Sequence, residues 1–205
     1  MNDFFENKKL DLTKLTCHSG GAEGADTAFE KISEKYNIKV NAYSYKTARH
    51  KSKNKVEISE EDFKQGCAEI AKANKTFQRW GYEKYINLLA RNWSQVKYSN
   101  QIFAIATILK PGEKNDKNYY NKGRYDIVDG GTGWAVQMGI NHGKEVFVFD
   151  QNKNKWFRWS YAALKFMELR TPPKITYQNF AGIGTRNLNE NGQKAIIELF
   201  ERTFQ

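Results

Sequence analysis

The stretch "QIFAIATIL", residues 101–109, constrains this chain more than any other. It is a near-continuous apolar run bounded by polar residues, the pattern of a strand buried on both faces. A sheet with two buried faces needs a layer of helices on each side. The flanking segments are suited to that. "AEGADTAFEKISEKY" (22–36) carries Ala25, Ala28, Phe29, Ile32 and Tyr36 at helical spacing. "SEEDFKQGCAEIAKANKTF" opens with Ser59 followed by Asp62, a capping-box-like start. In "YEKYINLLARNWSQVKYS" (82–99), Ile86, Leu89, Trp93 and Val96 share one face. "LTCHSG" (15–20), "IKVNAYSY" (38–45) and "KEVFVFD" (144–150) read as further strands, with a basic loop over 46–57. Strands alternating with helices predict a doubly wound, mostly parallel α/β sheet of Rossmann-like type, in one domain over 1–205. "KWFRWSYAALKFMEL" reads as an aromatic hairpin or as a strand followed by a helix. A polar excursion at about 110–127 breaks all periodicity, and is either a functional flap or disordered.

Three glycine turns interrupt this pattern: "SGGAEGAD" (19–26), "DGGTGW" (129–134) and "AGIGTR" (181–186). Each enters a helical stretch, where unpaired backbone N–H groups can face a phosphate. One such turn is ordinary punctuation. Three together predict a single crevice at the carboxyl edge of a parallel sheet.

Charge allows two directions. The chain of 205 residues carries a net charge of +10, with lysine-rich stretches at 45–56 and 117–124. This describes either a solvated Lys/Asn-rich surface or a positive field that draws in phosphorylated ligands or nucleic acid. No apolar run approaches a membrane span, and "MNDFFENKKLDLTK" is too acidic and broken for a signal peptide, so a cytoplasmic protein is expected. Cys17 and Cys67 are expected as buried free thiols, and His18, His50 and His142 are scattered, so no metal site or cofactor is expected.

"SGGAEGADTAFE" resembles the "SGGA-x-G-D" element of the SLOG superfamily, which unites DprA/Smf proteins and the LOG phosphoribohydrolases. "LLARNWSQVKYSNQIFAI" is similar to its "RN/RK" segment and following strand, and "DGGTGWAVQMGINHGKEVFVFD" to its "GG-x-GT" loop, helix and strand. The resemblance covers roughly residues 15–150. Domains of that superfamily open with a strand ending "GSR" and a helix. Here "GIGTR" and a helix stand near the other end, which implies a circular permutation; the alternative is an unrelated unit at the sheet edge.

The resemblance also implies chemistry. LOG enzymes cleave the N-glycosidic bond of nucleoside monophosphates with a loop glutamate and a supporting arginine. Arg91 stands at the arginine position, but Gln137 occupies the glutamate position, with Asp129 and Trp134 replacing the loop's proline and threonine. Glutamine carries no charge and accepts no proton at neutral pH. If the chain is a hydrolase, Asp26 or Asp129 must substitute. Otherwise the residues describe a binding pocket. Gly20, Gly21, Ala22, Gly130, Gly131, Gly133, Gly182 and Gly184 permit close backbone approach, and Ser19, Thr132 and Thr185 offer hydroxyls. Arg91 and Arg186 offer forked donors for phosphate oxygens. Asp26 caps its helix or binds a ribose hydroxyl, and Trp134 stacks on a base or packs in the core. Tyr119, Tyr120, Arg124 and Tyr125 form a basic aromatic lid or a disordered surface.

Three functions follow. The first is binding of a nucleotide-derived signal of the ADP-ribose or cyclic-oligonucleotide kind, as a sensor or as a sequestering protein of the type viruses use against host immunity. No residue indicates a viral origin. The second is a LOG-like phosphoribohydrolase. The third is DprA-like binding of single-stranded DNA, ranked below a small-molecule partner. The resemblance further implies a homodimer or higher homo-oligomer; from the lack of a spanning apolar run, no membrane partner is expected.

Overall fold

Every residue of the strand Gln101–Ala106 is buried, and its side chains alternate between two separate cores. The computed structural model describes residues 10–116 and 118–205. In chain order the first elements are β1 (Thr16–Ser19), α1 (Ala25–Lys35), β2 (Lys39–Ser44), β3 (Lys55–Glu57), α2 (Glu60–Phe77), α3 (Ile86–Lys97) and β4 (Gln101–Ala106). There follow β5 (Ile108–Leu109), β6 (Ile127–Val128), α4 (Gly130–Asn141), β7 (Glu145–Asp150), β8 (Lys155–Ser160), β9 (Lys165–Glu168), β10 (Asn179–Gly184) and α5 (Glu190–Phe204). Eight strands form one sheet in the order β3-β2-β1-β10-β4-β7-β8-β9. The six from β3 to β7 are parallel; β8 and β9 extend the sheet as an antiparallel hairpin.

The mostly parallel, two-sided α/β architecture is therefore as expected. Ile102, Ala104, Ala106, Val146 and Val148 face a core shared with α2, α3 and α4. Phe103, Ile105, Phe147, Phe149 and Phe180 face the other core, built with α1 and α5. Because strand side chains alternate, a strand apolar at every position feeds both.

Local differences have local causes. The run 101–109 is not one strand: Thr107 breaks it, and the Ile108 N–H turns to the buried carboxylate of Asp150 (3.1 Å). Ile108–Leu109 then pair with Ile127–Val128 as a separate ribbon. Of the two readings of 155–169, the hairpin is the one present. The basic stretch 46–57 is a loop up to β3, which edges the sheet. Cys17 is buried, its thiol pushed up to about 12 by burial, but Cys67 is only half-buried; both are free. No helix among the described residues is long and apolar enough to cross a membrane.

β10 lies between β1 and β4, parallel to both, with Cys17 opposite Phe180 and Phe103 opposite Gly182. The chain leaves β1 and β10 toward the helices of one face, and leaves β4 toward α4 on the other. Between β10 and β4 the connections diverge, which opens a crevice at the carboxyl ends of the strands.

Candidate functional site

A cleft of about 790 Å³ occupies this crevice, within the usual range for small-molecule sites. Its walls come from the turn before α1 (Ala22) and its first turn (Asp26), the ends of β4 and β10, the N-terminus of α4, one face of α3 and the 79–85 connection. Of the residues singled out from sequence, Ala22, Asp26, Arg91, Asp129, Gly130, Gly131, Thr132, Trp134, Gly184, Thr185 and Arg186 line it. Ser19, Gly20, Gly21, Gly133, Gly182 and Gln137 do not.

At the floor lies Arg91, which α3 brings in with only 5% of its surface exposed. Its Nη1 is 3.7 Å from Asp26 Oδ2 and 3.5 Å from Gln95 Oε1. Both contacts are long for a charged group so deeply buried. Burial lowers the arginine's pKa against the raising effect of Asp26. Burial likewise pushes the Asp26 carboxyl up to about 6, although Arg91 and the backbone N–H groups of Gly184 (2.9 Å) and Ala22 (3.4 Å) favour its ionised form. Gln95 is 1% exposed, and its Nε2 has no hydrogen-bond partner among the described residues. The floor thus holds a buried guanidinium and a buried amide donor that the described residues do not saturate.

The N-terminus of α4 forms another wall. Asp129 is its N-cap residue, but its side chain makes no capping bond. Both Asp129 oxygens instead accept from Asn115 Nδ2 at 2.9 Å, with Arg79 Nη2 3.9 Å away. A Cβ built at Gly130 or Gly131 meets no described atom within 4 Å. This first turn offers uncapped donors and space.

The glycine turn after β1 is different. A Cβ at Gly20 would lie 1.4 Å from Arg91 Nη1, and one at Gly21 would lie 2.2 Å from His50 Nε2. The N–H of Gly21 donates to Ser19 Oγ (3.2 Å), and the Ser19 hydroxyl donates to Glu30 (2.8 Å). Gly182 faces Phe29, whose ring would be 2.4 Å from an added Cβ, so it lets α1 pack on β10. Gly133 is closed by the Val128 carbonyl oxygen at 1.9 Å from such a Cβ. These four glycines accommodate the protein's own atoms.

Trp134 packs on Phe77 and Tyr82, with ring centroids 5.0 and 5.2 Å away, and shows one side to the cleft. Gln137 is buried in α4, with its Nε2 donating to Asn141 (2.9 Å). Described residues of the polar insert pack against α2 and β5. Tyr119 donates its hydroxyl to the Phe77 carbonyl (3.1 Å), Asn121 Nδ2 donates to Leu109 and Tyr125 carbonyls at 2.9 Å, and neither Tyr119, Tyr120, Arg124 nor Tyr125 lines the cleft.

Sequence reasoning missed Arg79, Trp80, Tyr82, Asn92 and Gln95, all of which line the cleft. "RWGY" (79–82) did carry a signal: a glycine turn with an arginine and a tryptophan between two helices. Arg79 is held between aromatic rings, its Cζ 3.9 Å from the Tyr119 centroid and 4.8 Å from that of Phe77. Its Nε and Nη2 are buried without a hydrogen-bond partner among the described residues.

Compared with known proteins, the chain matches no family model, no curated protein and no solved structure.

Proposed function

We propose that the cleft binds a phosphorylated, nucleotide-derived small molecule of the ADP-ribose or cyclic-oligonucleotide kind, and that the protein senses or sequesters it rather than turning it over. The single observation behind this reading is Arg91: a buried guanidinium whose closest ion-pair contact is 3.7 Å away, on the floor of a cleft of about 790 Å³. A buried cation is costly unless well paired, and a phosphate oxygen would supply the short charged bonds now missing. Arg186 at the mouth and the uncapped start of α4 add to the same positive environment. The SLOG resemblance and its permutation belong to this reading. β10 stands between β1 and β4, where a displaced "GSR"-type strand would have to sit to keep the three glycine turns at one edge. Gln137, at the position of the family glutamate, lies off the cleft, which supports binding without the family's hydrolysis.

A second reading has its own observation: Asp26 and Asp129 both line the cleft, and a LOG-like hydrolase needs one carboxylate there. One experiment separates them. Purified protein is titrated with adenosine monophosphate and ADP-ribose by calorimetry, and the mixture is then analysed for free adenine and ribose phosphate. Binding without turnover is expected, with Arg91→Ala weakening it by about 1.5–3 kcal/mol, the range for hydrogen bonds to charged groups. Multiple-turnover release of adenine would establish the hydrolase reading instead. Unchanged affinity after replacing both Arg91 and Arg186 would remove the phosphate site from this cleft.

A further inference from the structure

The chain has five tryptophans, and four of them, at 93, 134, 156 and 159, are between 3% and 8% exposed. Trp80 is 97% exposed and borders the cleft. Tryptophan is among the residues least often left wholly in water, so such an indole at the edge of a cavity calls for a use. Its position is built. Gln78 closes α2 in the left-handed region (φ 51°) and Gly81 turns the chain at φ 69°. The turn is pinned on both sides of Arg79, whose N–H donates to Asn74 Oδ1 (2.9 Å) and whose carbonyl accepts from Asn74 Nδ2 (3.0 Å). The Tyr119–Arg79–Phe77 stack holds the intervening side chain. The indole therefore projects from a fixed root. Tyr85, 54% exposed, also borders the cleft, and Asp26, Arg91 and Gln95 are its buried polar lining.

We propose that the mouth of the cleft is a base-recognition subsite, in which the Trp80 indole stacks on an aromatic nucleobase while the phosphate of the same ligand lies on Arg91; this rests on the phosphate-binding reading above. Stacking on an aromatic side chain accepts any planar base, so the subsite selects nucleotides from sugar phosphates without choosing among bases.

The test uses the full chain and two probes that differ only in the base, adenosine monophosphate and ribose 5-phosphate. Wild type is expected to bind the nucleotide on the order of tenfold or more tightly than the sugar phosphate. Trp80→Ala should abolish that preference by weakening the nucleotide alone, and Trp80→Phe should keep most of it. Nucleotide binding should quench tryptophan emission far more strongly in wild type than in Trp80→Ala, where Trp134, which is 3% exposed, is the indole left bordering the cleft. Nucleotide affinity unchanged in Trp80→Ala, with both probes lost in Arg91→Ala, would overturn the subsite and leave the phosphate site standing. A wild type that binds neither probe removes both. If Trp80→Ala splits a dimer without altering nucleotide affinity, the indole is a contact between copies and the subsite is overturned.

Discussion

Two glycine pairs, Gly20-Gly21 after β1 and Gly130-Gly131 at the start of α4, look alike in sequence and differ in what fills the space beside them. At the first pair the space a Cβ would take is filled by Arg91 and His50, and the Gly21 N–H is taken up by Ser19. At the second no described atom comes within 4 Å, and the N-cap side chain leaves the turn uncapped. A glycine that makes room for the protein's own side chain and one that leaves the space beside it open cannot be told apart by their neighbours in the chain. The first pair seats the cation; the second leaves open the space in front of the helix.

The largest effect should come from the end of the second turn. Gly133→Ala places a Cβ 1.9 Å from the Val128 backbone oxygen, which cannot rotate away. A loss of roughly 3 kcal/mol or more in stability is expected by chemical denaturation. Near-normal stability would mean that α4 does not start as described, and the contrast would lose its second half.

Next comes pH. The Asp26 carboxyl titrates at about 6 in the folded chain against 3.8 for the free group. Between these values the unfolded chain has released the proton and the folded one keeps it, so stability falls as pH rises from 3.8 through about 6. The stability difference between wild type and Asp26→Asn should therefore shrink, or turn against wild type, by about 3 kcal/mol over that window, whatever its offset. Parallel profiles would show that Asp26 titrates in the folded chain as it does in the unfolded one, and that the floor is better solvated than its burial implies.

Gly20→Ala should cost about 2 kcal/mol and weaken phosphate binding, because the Arg91 guanidinium must leave its place. Thermal melts with and without ligand read both effects. The smallest effect is expected from Gly131→Ala, whose stability should stay within about 0.5 kcal/mol of wild type while ligand affinity falls, since the methyl group enters only the open space. Equal losses of stability in these two variants would erase the distinction between a filled and an open turn.

Much of the architecture was legible because the signals are short-range. The two-sided run at 101–106, the amphipathic helices and the Ser59 cap, whose Oγ accepts the Asp62 N–H at 3.0 Å, each follow from residues within a few positions of one another. The break at Thr107 was not legible, because Asp150, which captures the Ile108 N–H, is 42 residues away. The packing of the 110–127 insert was not legible for the same reason: the Tyr119 hydroxyl donates to the Phe77 carbonyl, on another element.

The sequence by itself determined a layered α/β chain punctuated by glycine turns, one of them ending in Arg186, since burial periodicity and turn chemistry are written locally. Only the tertiary structure decided that Gly20, Gly21 and Gly182 are closed by Arg91, His50 and Phe29, that Gln137 stands off the cleft, and that Trp80 and Gln95 border it. The reason is physical. Whether a turn is open depends on which distant side chain fills the volume beside it, and packing in three dimensions alone assigns that volume.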